Sequence, residues 1–243
     1  MAQAASAYLR LLTPPTNPRV IGPAIADAVT GHYAALGVVA ALLERVSTGK
    51  GRRLDISMLE AMCHFNLDSF THYFSVGEVM GPLSRPTVSQ SYTFACSDGK
   101  WIAIHLSSPP KFWEGLVETV GMPELMSDPR FAERMARIEH QHDLIEVLRP
   151  VFATRTRDEW CAILLKNEVP HSPAYDSDEA LEDPQAGHLN IKVSADHPQM
   201  GPFTTVRAPY NFDGEADLSI LPPPTLDEHG DEIRAEIGTR NAG

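Results

Sequence analysis

Apolar positions recur at helical spacing over Ala24–Ser47: Ile25, Val29, Leu36, Val39, Leu42, Leu43 and Val46, with Ala and Gly between them. This pattern predicts a long helix. Because Ala34–Leu43 is apolar almost all round, the helix is expected to be largely buried. Thr48-Gly49-Lys50-Gly51 ends it with glycine where a left-handed cap is needed. Before it, Thr13-Pro14-Pro15-Thr16-Asn17-Pro18 is a loop. After it, Arg52–Ile56 reads as a short strand. Ser57 and Glu60 form a capping-box pair that opens a second helix running to about Phe74. Gly77–Gln90 reads as a linker. Ser91–Cys96 and Trp101–Leu106 flank Asp98-Gly99, the signature of a β-hairpin. Apolar faces then predict helices after Pro109-Pro110, after Asp128-Pro129 and after Thr156, where Glu159 completes a second capping box. Strands are expected at Leu189–Val193 and Phe203–Val206, and a last helix at Asp227–Ile237.

Composition narrows the function classes. The 243 residues are 43% hydrophobic and carry a net charge of −12, which disfavours binding to a nucleic-acid backbone. Cys63, Cys96 and Cys161 are odd in number and too widely spaced for a metal site or a disulfide framework, which points to a reducing, cytoplasmic setting. The N-terminus lacks the continuous apolar core of a signal peptide. No run of about 20 consecutive apolar residues is present, so no membrane span is expected.

The common catalytic motifs, GxGxxG, the P-loop, GxSxG and HExxH, do not occur. Isolated candidates have ordinary explanations. Asp27 sits in the first turn of the long helix, where a carboxylate complements the helix dipole. Cys63 and His64 are consecutive on a helix and point about 100° apart. His140 and His142 diverge in the same way, so no metal site is expected. Trp101 is a candidate for stacking on a ligand.

A larger pattern comes from Gly22-Pro-Ala-Ile-Ala-Asp27 through Gly31 and Gly37, then Glu44-Arg45, Thr48-Gly-Lys-Gly51 and Leu54-Asp-Ile-Ser-Met-Leu-Glu-Ala61. It continues with Ser97-Asp-Gly-Lys-Trp-Ile-Ala-Ile104, Asp128-Pro-Arg-Phe131, Thr156-Arg-Asp-Glu-Trp160, Val169-Pro170, Asp183-Pro-Gln185, His197-Pro198 and Pro223-Pro-Thr-Leu-Asp-Glu-His229. These segments, in this order, resemble the family III CoA-transferases, also called the CaiB/BaiF family.

The resemblance implies an α/β fold: a partial Rossmann-like large domain with an inserted small α+β domain, in a family of intertwined dimers. On that division, residues 1–76 belong to the large domain and 77–90 are a linker. Residues 91–190 form the small domain, and 191–243 return to the large one. The implied activity is acyl-CoA:carboxylate CoA transfer through an aspartyl anhydride and an enzyme–CoA thioester. Its substrates would be an acyl-CoA and a carboxylic acid, with no tightly bound cofactor. The resemblance places the nucleophilic aspartate just upstream of Met1, so no catalytic residue is expected within the chain. The chain is then expected to need a partner, either a homodimer mate or a chain supplying the N-terminal half. A racemase-like enzyme or a noncatalytic subunit are the alternatives. Acceptor specificity would come from the region Gly77–His105, which makes Arg85, Tyr92 and His105 substrate-binding candidates beside Asp27.

Overall fold

A computed structural model describes residues 1–216, 218 and 220–240 of the chain. The rest of the predicted return segment 191–243, namely residues 217, 219 and 241–243, lies outside the described residues. The architecture is mixed α/β and divides into two compact units, Met1–Pro173 and Ala174–Gly243.

The first unit begins with helices α1 (Ala2–Ala5), α2 (Tyr8–Leu12), α3 (Ile25–Thr48), α4 (Met58–Phe65), α5 (Leu67–Val76) and α6 (Ser84–Val88). Gly49 takes the left-handed conformation that caps α3. The single helix expected over Ser57–Phe74 is two helices, broken at Asn66. There the chain leaves helical geometry and the buried side-chain amide donates to the carbonyl of Ser6 at 3.0 Å. Arg52–Ile56 forms no strand, because among the described residues no neighbouring strand is there to pair with it.

The expectation of a buried α3 fails as well. Ala26 is its one buried residue, while Leu36, Val39, Leu43 and Val46 are more than half exposed. Among the described residues the helix packs chiefly on the α4 region, with a smaller contact to α1. Gly37 lies against Leu54 so closely that a Cβ would approach a leucine methyl to 2.8 Å. The Tyr33 hydroxyl reaches His64 Nδ1 at 2.6 Å. Nothing described here covers the rest. By length and composition α3 could also cross a membrane, contrary to the expectation from uninterrupted apolar runs, because interspersed small residues keep its mean hydropathy high.

The core lies in the second half of this unit. Strands β1 (Ser91–Ala95) and β2 (Trp101–His105) form the expected hairpin, in the register Ser91↔His105, Thr93↔Ala103 and Ala95↔Trp101. β3 (His171–Ala174) completes a sheet of order β1-β2-β3. One face carries Tyr92, Phe94, Ile102 and Ile104. It packs on α7 (Pro110–Val120), α9 (Gln141–Phe152) and α10 (Arg157–Lys166), with α8 (Arg134–Glu139) beside them. Phe94 and Phe152 stack with ring centres 4.4 Å apart, and Trp160 closes on Phe152 at 4.7 Å. Gly115 lets α7 pass the α10–β3 connection, since a Cβ there would lie 2.5 Å from the carbonyl oxygen of Asn167.

The predicted capping box at α10 is complete. Thr156 Oγ1 accepts from the Glu159 N–H, and the Glu159 carboxylate accepts from the Thr156 N–H at 2.9 Å. The hairpin turn is tied to the same place. Asp98 accepts from the N–H of Lys100 and, at 3.2 Å, from that of Arg157, while the Ser97 N–H donates to the Arg155 carbonyl. These hydrogen bonds hold the Asp98 carboxyl below its ordinary range, against a desolvation cost that works the other way.

The second unit contains α11 (Ser177–Glu182), α12 (Pro184–His188), the antiparallel pair β4 (Lys192–His197) and β5 (Gly201–Val206), the short pair β6 (Asn211–Phe212) and β7 (Glu215–Ala216), and α13 (Gly230–Arg240). The turn between β4 and β5 is fixed by His197, whose Nδ1 accepts the N–H groups of Gln199 and Met200 at 3.1 Å.

Candidate functional site

The face of the β1-β2-β3 sheet turned away from the core forms the floor of an open cleft of about 770 Å³. Strand alternation puts Ser91 and Thr93 of β1 beside Trp101, Ala103 and His105 of β2 on this face. Ser91 and His105 are directly paired across the strands, and Ser91 Oγ lies 2.9 Å from His105 Nδ1. α9 adds Gln141, Ile145 and Arg149, spaced i, i+4 and i+8 so that they share one stripe of the helix. His171 joins from the β3 side and is anchored through its Nδ1 to the Val169 carbonyl at 2.7 Å. Gln141 is held in place by the Thr87 hydroxyl, which donates to its side-chain oxygen at 2.5 Å.

The four residues expected from the sequence separate. His105 stands exposed on the cleft floor. Tyr92 borders the cleft, but its ring belongs to the core: it is 2% exposed, stacks on Phe94 at 6.3 Å, and its hydroxyl has no hydrogen-bond partner among the described residues. Burial pushes its phenol up to about 12, with Arg137 pulling the other way. Arg85 lies elsewhere, 3.4 Å from Asp68, and lines a separate hollow with Leu11, Asn66 and Met80. Asp27 is exposed in the first turn of α3. The sequence reading missed Ser91, Gln141, Arg149 and His171. The four-residue spacing of Gln141, Ile145 and Arg149 was the available signal, but nothing in it says which sheet face the stripe flanks. Among the described residues no group of three His, Cys, Asp or Glu side chains is placed to hold a metal ion.

The unpartnered Tyr92 hydroxyl gives a stability prediction. Tyr92→Phe should stabilise the fold by about 1 kcal/mol, since a buried hydroxyl without a partner costs roughly 1–3 kcal/mol. The raised phenol pKa fixes the sign of the pH effect. The stability linked to Tyr92 is fully present below the ordinary tyrosine range near 10 and is lost as pH rises towards about 12. Urea unfolding between neutral pH and pH ~11 should therefore show a steeper alkaline loss for wild type than for Tyr92→Phe. Equal slopes would contradict it.

An acidic, mixed α/β chain with a cleft on a small sheet defines a class but no chemistry, and comparison with known proteins supplies the family. The sequence profile of CoA-transferase family III matches residues 1–230, and the chain belongs to that family. It is 24% identical over 225 residues to the (R)-2-hydroxy-4-methylpentanoate CoA-transferase of Clostridioides difficile, covering 92% of this chain and 56% of that protein. To the succinyl-CoA–D-citramalate CoA-transferase of Chloroflexus aurantiacus it is 27% identical over 226 residues, covering 92% and 55%. A crystal structure of a CaiB/BaiF family protein from Brucella suis superposes with a TM-score of 0.80 at 30% identity, over 98% of this chain and 62% of that one. The chain thus spans about half the length of the curated relatives it matches.

Proposed function

We propose that the protein acts in acyl-CoA:carboxylate CoA transfer. The observation that carries this reading is the family match over residues 1–230, and the transferase names of the relatives favour it over racemisation. In the proposed reaction an aspartate carboxylate attacks the acyl-CoA thioester carbonyl and expels CoA thiolate, leaving a mixed anhydride. The thiolate then attacks the aspartyl carbonyl, releases the donor acid and leaves an aspartyl–CoA thioester. The acceptor carboxylate reverses the two steps and departs as its CoA thioester. Water would hydrolyse the anhydride, so the steps need a closed site.

That aspartate would come from a segment preceding Met1, or from a chain that supplies it. The exposed apolar side of α3 favours such a partner, since a face of this kind marks an association surface. With an N-terminal half of this kind in place, residues 1–76 and the return segment would form a Rossmann-like large domain, and the sheet with its helices the small one. The small-domain cleft would receive the acceptor acid.

Incubation with succinyl-CoA followed by hydroxylamine trapping tests this reading. The 243-residue chain alone should give no hydroxylamine-sensitive adduct and no CoA exchange. The same chain co-expressed with a family N-terminal half should give both. Turnover by the chain alone would place the nucleophile within it and overturn the assignment.

A further inference from the structure

The cleft on the outer sheet face has a composition unlike the rest of the protein. The chain carries 32 acidic against 20 basic residues, yet no Asp or Glu is among the residues lining this cleft. Its polar side chains include Arg149, His105, His171, Gln141 and the hydroxyls of Ser91, Thr93 and Ser172. Arg149 is engaged by Glu146 through one guanidinium nitrogen at 2.8 Å, and its side chain is 58% exposed. His105 uses Nδ1 towards Ser91, and its other ring nitrogen has no partner among the described residues. A depression that offers the Ser91 hydroxyl and the His105 ring and holds no carboxylate admits an anion in a protein of net charge −12.

The remaining lining is apolar. Ala103 gives a low floor in the middle of the sheet, with Trp101 half-exposed at one end and Ile145, Leu83 and Pro86 at the sides. Trp101 and His105 are four residues apart on one strand, hence about 13 Å from end to end. A volume of about 770 Å³ is far more than a two-carbon diacid fills.

We infer that the cleft binds a monocarboxylic acid with an extended apolar body of about six to ten carbons, its body over Ala103 and Trp101 and its carboxylate read by His105 with Ser91. This rests on the reading of the cleft as the acceptor site and adds the class of acid.

Binding can be read without catalysis. Trp113 and Trp160 are buried, so a ligand on the sheet acts on the emission of Trp101. The full chain is titrated with octanoate, octanol, oxalate and acetate. Octanoate should shift the tryptophan emission saturably. Octanol, oxalate and acetate should each bind at least about tenfold more weakly, since the first lacks the carboxylate and the others the apolar body. His105→Ala should weaken octanoate about tenfold while leaving octanol unchanged, which also shows that the cleft is intact. Ser91→Ala provides a second variant at the carboxylate end, and Trp101→Phe should abolish the optical signal while equilibrium dialysis still detects octanoate.

Oxalate as tight as octanoate, or octanol as tight as octanoate, overturns the inference. So does octanoate binding unchanged in both His105→Ala and Ser91→Ala. If octanoate binds as described but is not a CoA acceptor once the chain is paired with an N-terminal half, the acceptor reading fails and the ligand class stands.

Discussion

Arg137→Ala should lower stability by about 3–5 kcal/mol, because it strips a charged donor from three neutral oxygens, each costing about 1–3 kcal/mol when left without a partner. Arg137 is 5% exposed, on α8. Its Nε donates to the Gln90 side-chain oxygen at 2.9 Å, and its NH1 donates to the carbonyls of Phe131 and Ala132 at 2.6 and 2.9 Å. The guanidinium also lies over the Trp113 ring, 4.5 Å from its centre. Gln90, itself buried with a positive φ, passes the connection on by donating to the Ser107 carbonyl at 2.6 Å. Truncation leaves two buried oxygens and one part-buried oxygen without this donor, and a void beside Trp113. Lysine keeps the charge but not the planar fork, so Arg137→Lys should recover less than half of the loss, roughly 1–2 kcal/mol. Urea unfolding followed by circular dichroism measures both. A full rescue by lysine would mean that charge, and not the geometry of the fork, holds the site.

Phe152→Ala should cost a similar amount, about 3–5 kcal/mol, for a different reason. Phe152 is fully buried between Phe94 of β1 and Trp160 of α10, so it joins the sheet to two helices. Its removal takes away transfer energy and leaves a cavity that two stiff aromatic neighbours, one of them strand-bound, cannot fill. Trp160 Nε1 donates to the backbone carbonyl of residue 152 at 2.8 Å, and that bond survives the substitution. Phe152→Leu should therefore recover most of the loss, leaving about 1–1.5 kcal/mol. Thermal unfolding checks the series. Equal losses for leucine and alanine would show that ring stacking outweighs volume.

The hairpin, the second capping box and the helices with strong apolar faces were legible because each is a local signal. Asp98-Gly99 fixes a turn, Thr156 with Glu159 fixes a start, and Leu144, Leu148 and Phe152 mark a face. β3 was not legible, since His171–Ala174 includes a proline and has no alternating pattern; its place in the sheet comes from lying beside β2, where the His105 N–H donates to the Pro170 carbonyl. The break at Asn66 was hidden for a related reason, because its buried partner is Ser6, sixty residues away. Apolarity correctly marked α3 as a helix but could not say that most of it is left exposed among the described residues. In the cleft, His105 could be picked out from its strand. Arg149 could not, because the helical stripe that carries it meets the sheet only in three dimensions. Tyr92 shows the converse: a residue chosen for its polar tip is held by its ring.

Asp98 also bears on the order in which the fold assembles. One carboxylate closes the hairpin turn through Lys100 and caps α10 through Arg157, which lies 59 residues further along. Bringing those ends together costs chain entropy on the order of 3–4 kcal/mol before any contact between them is gained. The tip of the hairpin therefore gains its second anchor late, once α7, α8 and α9 have collapsed and carried α10 into reach. β1, β2 and the first turn of α10 should then lock together, and the outer face of the sheet is completed only when nearly the whole of that core has formed.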